Sequence, residues 1–233
     1  MDAAFTSELV RSRWLGDGHL DAVSMPDLEV LRREVARVKT DYQACRYAQT
    51  AAQLPDLLTT LDAATSALTG DELLAAEALA ADVYHVAASL QLNLGSEGPA
   101  WMTADASMRA AHRSEDPIAM ASSARIVTHV LIDARRHRDA EMFVRLMAEK
   151  LSEPWSREPA NDALAVYGSL LLRGAIAAAK AGNAASAEEL LDEAQDAGRR
   201  LGADCNLRWT AAERSRSTRP RVANELAHRR SRG

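Results

Sequence analysis

Asp82 and His85 stand three residues apart in the run Ala-Asp-Val-Tyr-His-Val. On a helix that spacing places a carboxylate and an imidazole on one face. Carboxylate-bridged metal centres use such a pair, but they need two of them and two further glutamates. The chain offers one, so no metal is expected and the plain reading is a polar helix face. His112 with Glu115 and Asp116 is a looser set that reads as a solvated helix end. Nucleophilic catalysis has no support, because there is neither a Gly-x-Ser-x-Gly elbow nor a glycine-rich phosphate loop. Cys45 and Cys205 lack disulfide-scaffold and metal spacing. Cys45 reads as a turn residue, and Cys205 falls beyond the last strong helix. The chain is therefore expected to be no enzyme and to need no cofactor.

Binding remains, and its candidate residues depend on the helices that carry them. Apolar residues make up 47% of the chain and aromatics only 4%, so alanine and leucine dominate. Both lead the scale of helix propensity, and β-branched runs are nearly absent. An all-α fold follows. The clearest stretch is 168–201. Leu171, Leu172, Ala175, Ile176 and Ala179 repeat at helical spacing, and Gly182-Asn183 ends that helix with residues that tolerate a left-handed backbone. A second helix carries Ala187, Leu190, Leu191 and Ala194, whose small members let two helices approach closely. This is the tetratricopeptide pattern.

Earlier segments follow the same plan more loosely. Pro26-Asp27 opens a helix with Leu28, Leu31, Val35, Val38 and Tyr42 on one stripe. Its partner holds Leu54, Leu57, Leu58 and Leu61, with Pro55 expected to kink it or to start a new turn. A helix from Thr69-Gly70-Asp71 runs to about Leu94. Ala100, Trp101, Ala104 and Met108 are expected to form the packing face of the next one. After the break at Ser114–Pro117, a helix spans Ile118–Ala134. Ala140, Phe143, Val144, Met147 and Leu151 face inward beyond it, before a loop bracketed by Pro154 and Pro159.

Cys45, Gly95, Arg135 and Gly182 are then equivalent turns. The small residue five positions later is Thr50, Ala100, Ala140 or Ala187. Tetratricopeptide repeats recur at roughly 34 residues, so this array is longer and divergent. We read about four hairpins stacked as one right-handed α-solenoid, because a single hairpin cannot bury its apolar face alone. The alternative is an irregular helical bundle. In such a solenoid the first helix of each pair lines the concave groove. The projected groove residues are Arg32, Lys39 and Gln43 in the first pair, and Asp82, His85, Ser89 and Asn93 in the second. Ser122, Arg125, His129 and Asp133 follow in the third, and Ser169, Arg173, Ile176 and Lys180 in the fourth. This polar wall with a basic bias suits a peptide carboxylate or another anion, since arginine makes bidentate contacts to such groups. The plain alternative is an ordinary solvated face.

Charge separates the ends from the body. The net charge is −5, but residues 208–233 hold eight arginines against two glutamates, a net of +6 that leaves −11 for the rest. An acidic body does not bind nucleic acid by itself. The tail at 208–233 reads as basic and poorly ordered, an arm for nucleic acid or an acidic partner, or an end without a role. Residues 1–25 read as an irregular leader or remnant, with a short helical piece from Phe5 to Leu15 and a loop at Gly16–Gly18. No apolar stretch is expected to span a bilayer, the best one being broken by Arg173. There is no basic-then-apolar signal at the N-terminus. The expectation is a cytoplasmic protein without a membrane partner.

Several scaffold runs resemble one family. They are Leu31-Arg-Arg-Glu-Val-Ala-Arg-Val-Lys-Thr-Asp-Tyr-Gln-Ala-Cys-Arg-Tyr47, Ala81-Asp-Val-Tyr-His-Val-Ala-Ala-Ser89 and Pro99-Ala-Trp-Met-Thr-Ala-Asp105. Ala111-His-Arg-Ser-Glu-Asp-Pro117, Gly198-Arg-Arg-Leu-Gly-Ala-Asp204 and Trp209-Thr210 complete the set. Together they resemble the tetratricopeptide-like C-terminal region of actinobacterial Xre-type helix-turn-helix transcriptional regulators, over about residues 26–210. The resemblance implies the signal-sensing and oligomerisation half of a regulator, binding a peptide or small signal. A free-standing adaptor for partner proteins is the alternative. In that family a DNA-binding domain precedes the repeats, and residues 1–25 are too few for one. Specific DNA binding by this chain alone is therefore not expected. The family also continues past Thr210 with another apolar helical pair, which is missing here. The last helix would then keep an apolar face, to be covered by the tail or by a second subunit in a homodimer.

Overall fold

The computed structural model describes residues 27–152 and 161–201. Among these residues the chain is all-α, with eight helices and no strand. They are α1 (Leu28–Gln43), α2 (Tyr47–Ala67), α3 (Gly70–Asn93), α4 (Glu97–Arg113), α5 (Pro117–Asp133), α6 (His137–Ser152), α7 (Asn161–Ala181) and α8 (Ala184–Leu201). The leader, the loop containing Trp155, Cys205 and the basic tail lie outside the described residues. Two compact units divide the chain at 123/124, inside α5.

Four turns share one backbone design. Cys45, Gly95, Arg135 and Gly182 have φ of 58°, 78°, 59° and 86°, all left-handed. In each, the turn residue donates its N–H three residues back, and the next residue donates five residues back. Cys45 N reaches the Tyr42 carbonyl at 3.0 Å and Arg46 N reaches that of Asp41 at 2.9 Å. The same pair recurs as Gly95–Leu92 with Ser96–Gln91, Arg135–Ile132 with Arg136–Leu131, and Gly182–Ala179 with Asn183–Ala178. These bonds satisfy carbonyls that a helix end leaves open. The residue after the turn then starts the following helix: the carbonyls of Arg46, Ser96, Arg136 and Asn183 accept from Thr50, Ala100, Ala140 and Ala187. Those four residues are fully buried. A larger side chain there would hold the two helices apart.

In the first unit, α1 packs on α2 and α3, α2 packs on α3, and α3 packs on α4. α3 is the central helix: residues 83–91 are buried on every side. A polar seam holds it against its neighbours. Ser107 Oγ donates to the Ala81 carbonyl at 2.8 Å and lies 2.8 Å from Ser123 Oγ. Asp27 Oδ1 caps α1 through Glu29 N, and Asp116 Oδ1 caps α5 through Ile118 N, both at 2.8 Å. Each satisfies a donor that a helix start leaves open. α2 runs without interruption through Pro55, so that residue neither ends nor restarts it. Trp101 is not on the packing face: it is 42% exposed, while Ala100 and Ala104 are buried. A step of one residue turns a helical side chain by about 100°, which separates Trp101 from Ala100.

In the second unit, α7 packs on α6 and α8. Leu131 and Ile132 of α5, Ala140 of α6 and Ala177 of α7 share one core, with Val127, Phe143 and Ile176 packed against it. Leu164, Ala165, Ala197 and Leu201 join α7 to α8. Gly174 is the tightest point. A Cβ there would lie 2.6 Å from Val144 Cγ1 and 3.2 Å from Leu190 Cδ1. Contrary to expectation, α3 and α7 are each long and apolar enough to cross a membrane by length and composition, but 67% of the relevant window is buried within the fold in both.

Two predictions follow from the turns and the helix crossing. Arg135→Gly removes a Cβ from a left-handed position and should stabilise the protein by about 0.5–1 kcal/mol, after the larger unfolded-state entropy of glycine is deducted. Gly182→Ala, with the same deduction, should cost about 0.5–1 kcal/mol. Gly174→Ala should destabilise by about 1–3 kcal/mol through overpacking. Gly198→Ala, where nothing lies within 4 Å, should instead add up to about 1 kcal/mol. Urea unfolding of the four variants checks both the signs and the order.

Candidate functional site

The projected wall of the first unit comes together, chiefly by pairing with itself. Lys39 Nζ of α1 donates to Asp82 Oδ2 of α3 at 2.8 Å. Their side chains are only 15% and 17% exposed, so this ion pair is better shielded from solvent than a surface pair. One end of the same face carries Asn93 Nδ2 donating to Tyr42 Oη at 2.9 Å. Next to Asp82 on this face of α3, His85 Nδ1 lies 3.2 Å from Ser122 Oγ of α5, with both residues buried. Ser89 is buried on the same helix. The reason is positional: 82, 85, 89 and 93 repeat at three and four, so one face of α3 meets α1 and α5. Arg32 stays outside this set, exposed and paired with Glu29 of its own helix at 3.3 Å. Gln43 is exposed at the end of α1.

Asp82 is thus taken by Lys39 and His85 by Ser122. Among the described residues no three His, Cys, Asp or Glu side chains gather as a metal site. His112 and Glu115 are exposed, while Asp116 serves as the cap of α5.

The second unit carries the remaining projected residues. Arg125 of α5 is buried, with 9% exposure. His129 lies one turn further along, with Nε2 3.9 Å from Asp133 Oδ1. Arg173 and Lys180 are half-buried on α7. Ser169 is buried and donates to the Val166 carbonyl at 2.8 Å. Ile176 departs from the projection, since it packs against the core that joins α5 and α7. Arg125, His129, Arg173 and Lys180 all take part in polar or electrostatic interactions within the chain. The projected residues of this unit include three permanent cations and one acid, Asp133, so the basic bias of the projected wall lies on α5 and α7.

Other charged contacts were not found by sequence reasoning. Glu77, buried on α3, receives Arg113 Nε at 2.5 Å and Nη2 at 2.8 Å. That bidentate bond raises the Arg113 pKa above its ordinary value, burial working the other way. Buried Asp41 accepts from Gln53 Nε2 at 3.0 Å and faces Arg46 Nε at 3.2 Å. Arg145 of α6 donates to Ser186 Oγ and Glu189 Oε2 of α8, each at 2.7 Å from Nη2. Tyr167 donates to Glu193 Oε1 at 2.5 Å. Burial first, and then this bond, push the Tyr167 hydroxyl pKa upward. Exposed Cys45 accepts a bond from Tyr47 Oη at 3.6 Å. That bond leads the causes that raise the Tyr47 pKa. The Glu77 pair spans 36 residues of sequence. Its one sequence signal is a glutamate inside an otherwise alanine-leucine run, where a buried charge needs a partner.

Fold and site together describe an all-α protein of consecutive helical hairpins with a partly self-paired polar wall. Compared with known proteins, the chain matches no family model, no curated protein and no solved structure.

Lys39 and Asp82 should behave as one unit. Lys39→Ala alone leaves a mostly buried carboxylate and should cost about 1–3 kcal/mol. The Lys39→Ala/Asp82→Ala double variant should recover part of that loss, with a coupling of about 0.5–3 kcal/mol in a double-mutant cycle. Additive losses would mean that the pair does not join α1 to α3.

Proposed function

We propose that this chain is a non-enzymatic helical-repeat protein that recognises an anionic group on the first helices of its hairpins. Polar residues recur there at equivalent positions, counted from the four left-handed turns. The observation that carries the reading is the three permanent cations among the projected residues of α5 and α7, Arg125, Arg173 and Lys180, which share a unit with His129. In the first unit the wall is occupied by its own pairs, Lys39–Asp82, Asn93–Tyr42 and His85–Ser122. We place the ligand on the second unit because the projected cations are concentrated there. A peptide with a free C-terminal carboxylate, or a small anionic signal, is the ligand class. The recurrent turns also support reading the hairpins as a right-handed α-solenoid. The resemblance to the sensing half of Xre-type regulators supports a signal-binding role without specific DNA binding. Exposed Trp101 and Met102 on α4 favour a second reading, an adaptor that docks partner proteins.

A peptide array with matched free and amidated C-termini tests the ligand class. Free carboxylates should be retained over amides, and Arg173→Ala should weaken the dissociation constant at least tenfold, or about 1.4 kcal/mol. Arg125→Lys, which keeps charge but loses the bidentate fork, should weaken it less. Equal retention of amides, or an unchanged affinity in Arg173→Ala with native circular dichroism, overturns the reading. A gel shift across salt concentrations that shows sequence-specific retention of DNA would overturn the negative half.

A further inference from the structure

The outward face of α6 carries an apolar pair that the fold does not demand. Met142 and Leu146 are 58% and 57% exposed and sit one turn apart. Ala140, Val144, Met147 and Leu151 on the opposite side bury the helix in its own unit. Among the equivalent positions, counted from the small buried residue of each second helix, α6 alone places two large exposed apolar residues, since α4 has exposed Met102 but buried Ala106. In α8 the two positions hold Glu189 and Glu193, and in α2 they hold Ala52 and Asp56. All four are exposed. The outer side of the second helix is therefore built for water in α2 and α8, α4 adds the single apolar Met102 there, and α6 adds an adjacent pair.

Charge at the two ends of the pair says what covers it. Arg138 precedes Met142 by four residues and Glu149 follows Leu146 by three, and both are exposed on the same side of α6. At about 100° per residue, Arg138, Met142, Leu146 and Glu149 fall within about 80° of one side of α6, and Arg145 beside them is tied to Ser186 and Glu189 of α8. Consider two copies of α6 packed antiparallel about a two-fold axis midway between residues 143 and 144. Arg138 of each copy then lies opposite Glu149 of the other, twice over, with Met142 and Leu146 of both copies between them. A parallel arrangement would instead oppose arginine with arginine and glutamate with glutamate. The face is complementary to itself, as a two-fold interface requires.

We propose that α6 is a homodimer seam, with Met142 and Leu146 as its apolar centre and Arg138–Glu149 pairs across copies at both ends. Two apolar side chains per copy make a small contact. Interfaces below about 1,200 Å2 belong to weak, transient association. The dimer is therefore reversible and dependent on concentration. It does not rest on the anion-binding reading, because none of its residues belongs to the projected wall.

Sedimentation equilibrium of the full chain, from micromolar to millimolar, tests this. The native chain should pass from monomer to dimer within that range. The Met142→Glu/Leu146→Glu variant, which takes the residue type found in α8, should dissociate at least tenfold more readily while its circular dichroism stays native. Arg138→Glu and Glu149→Arg should each weaken the dimer, because each opposes like charges. Mixing these two variants in equal amounts should restore association, since both end pairs are then complementary. A native chain that stays monomeric throughout overturns the proposal. So does a dimer unaffected by Met142→Glu/Leu146→Glu, or one that the mixture fails to restore. Retention of carboxylate peptides should be unchanged in all of these variants, so failure here and failure of the ligand reading are told apart.

Discussion

The left-handed turn is the constraint from which the rest of the molecule follows. Its two backbone bonds close the end of one helix, and the next residue opens the following helix at once. No slack remains between the helices of a pair, so the distance from turn to crossing is constant. The buried small residue falls five positions on in all four cases. Once turn and crossing are fixed, every later residue of both helices has an assigned face. Core, wall and outer surface are consequences of counting from one backbone conformation.

Polar pairing then decides how closely neighbouring helices are held. The first unit buries leucine and valine side chains of α1, α2 and α3 together with a run of alanines on α3 and α4. Alanine surfaces offer little relief to stop one helix sliding along another. Ser107 with Ser123, Lys39 with Asp82, and Glu77 with Arg113 supply directional contacts that allow one register only. The second unit reaches the same end differently. Gly174 lets Val144 and Leu190 press onto the backbone of α7, and Arg145 ties α6 to α8.

Much of this was legible in the sequence, for physical reasons. Helical period, the turn residues and the small residue after each turn are local, and they located the hairpins. Two turns without glycine, Cys45 and Arg135, were found by alignment to the other two. The face of α3 was also legible, because 82, 85, 89 and 93 follow from helical spacing alone. What those residues do there was not. Lys39 and Asp82 are 43 residues apart, and a wall read as open to a ligand is partly closed by its own pairs. Trp101 was misplaced because apolar character was taken for burial, although it lies one residue from buried Ala100. Ile176 was assigned to the groove by the same counting that succeeded elsewhere, yet the core joining α5 and α7 claims it.

The central helices also bear on how the chain is made. Outside their partners, α3 and α7 have the length and hydropathy of segments that enter a bilayer. During vectorial synthesis α1 and α2 emerge before α3, so two of the four helices that touch it are already waiting. α4 and the start of α5 are still missing, and Ser122, which meets His85, follows Asn93 by 29 positions. At about 5–20 residues per second that gap lasts a few seconds. α7 likewise follows α5 and α6 and waits only for α8. The order of helices keeps each apolar segment exposed only briefly, which limits its chance of meeting a membrane or another nascent chain.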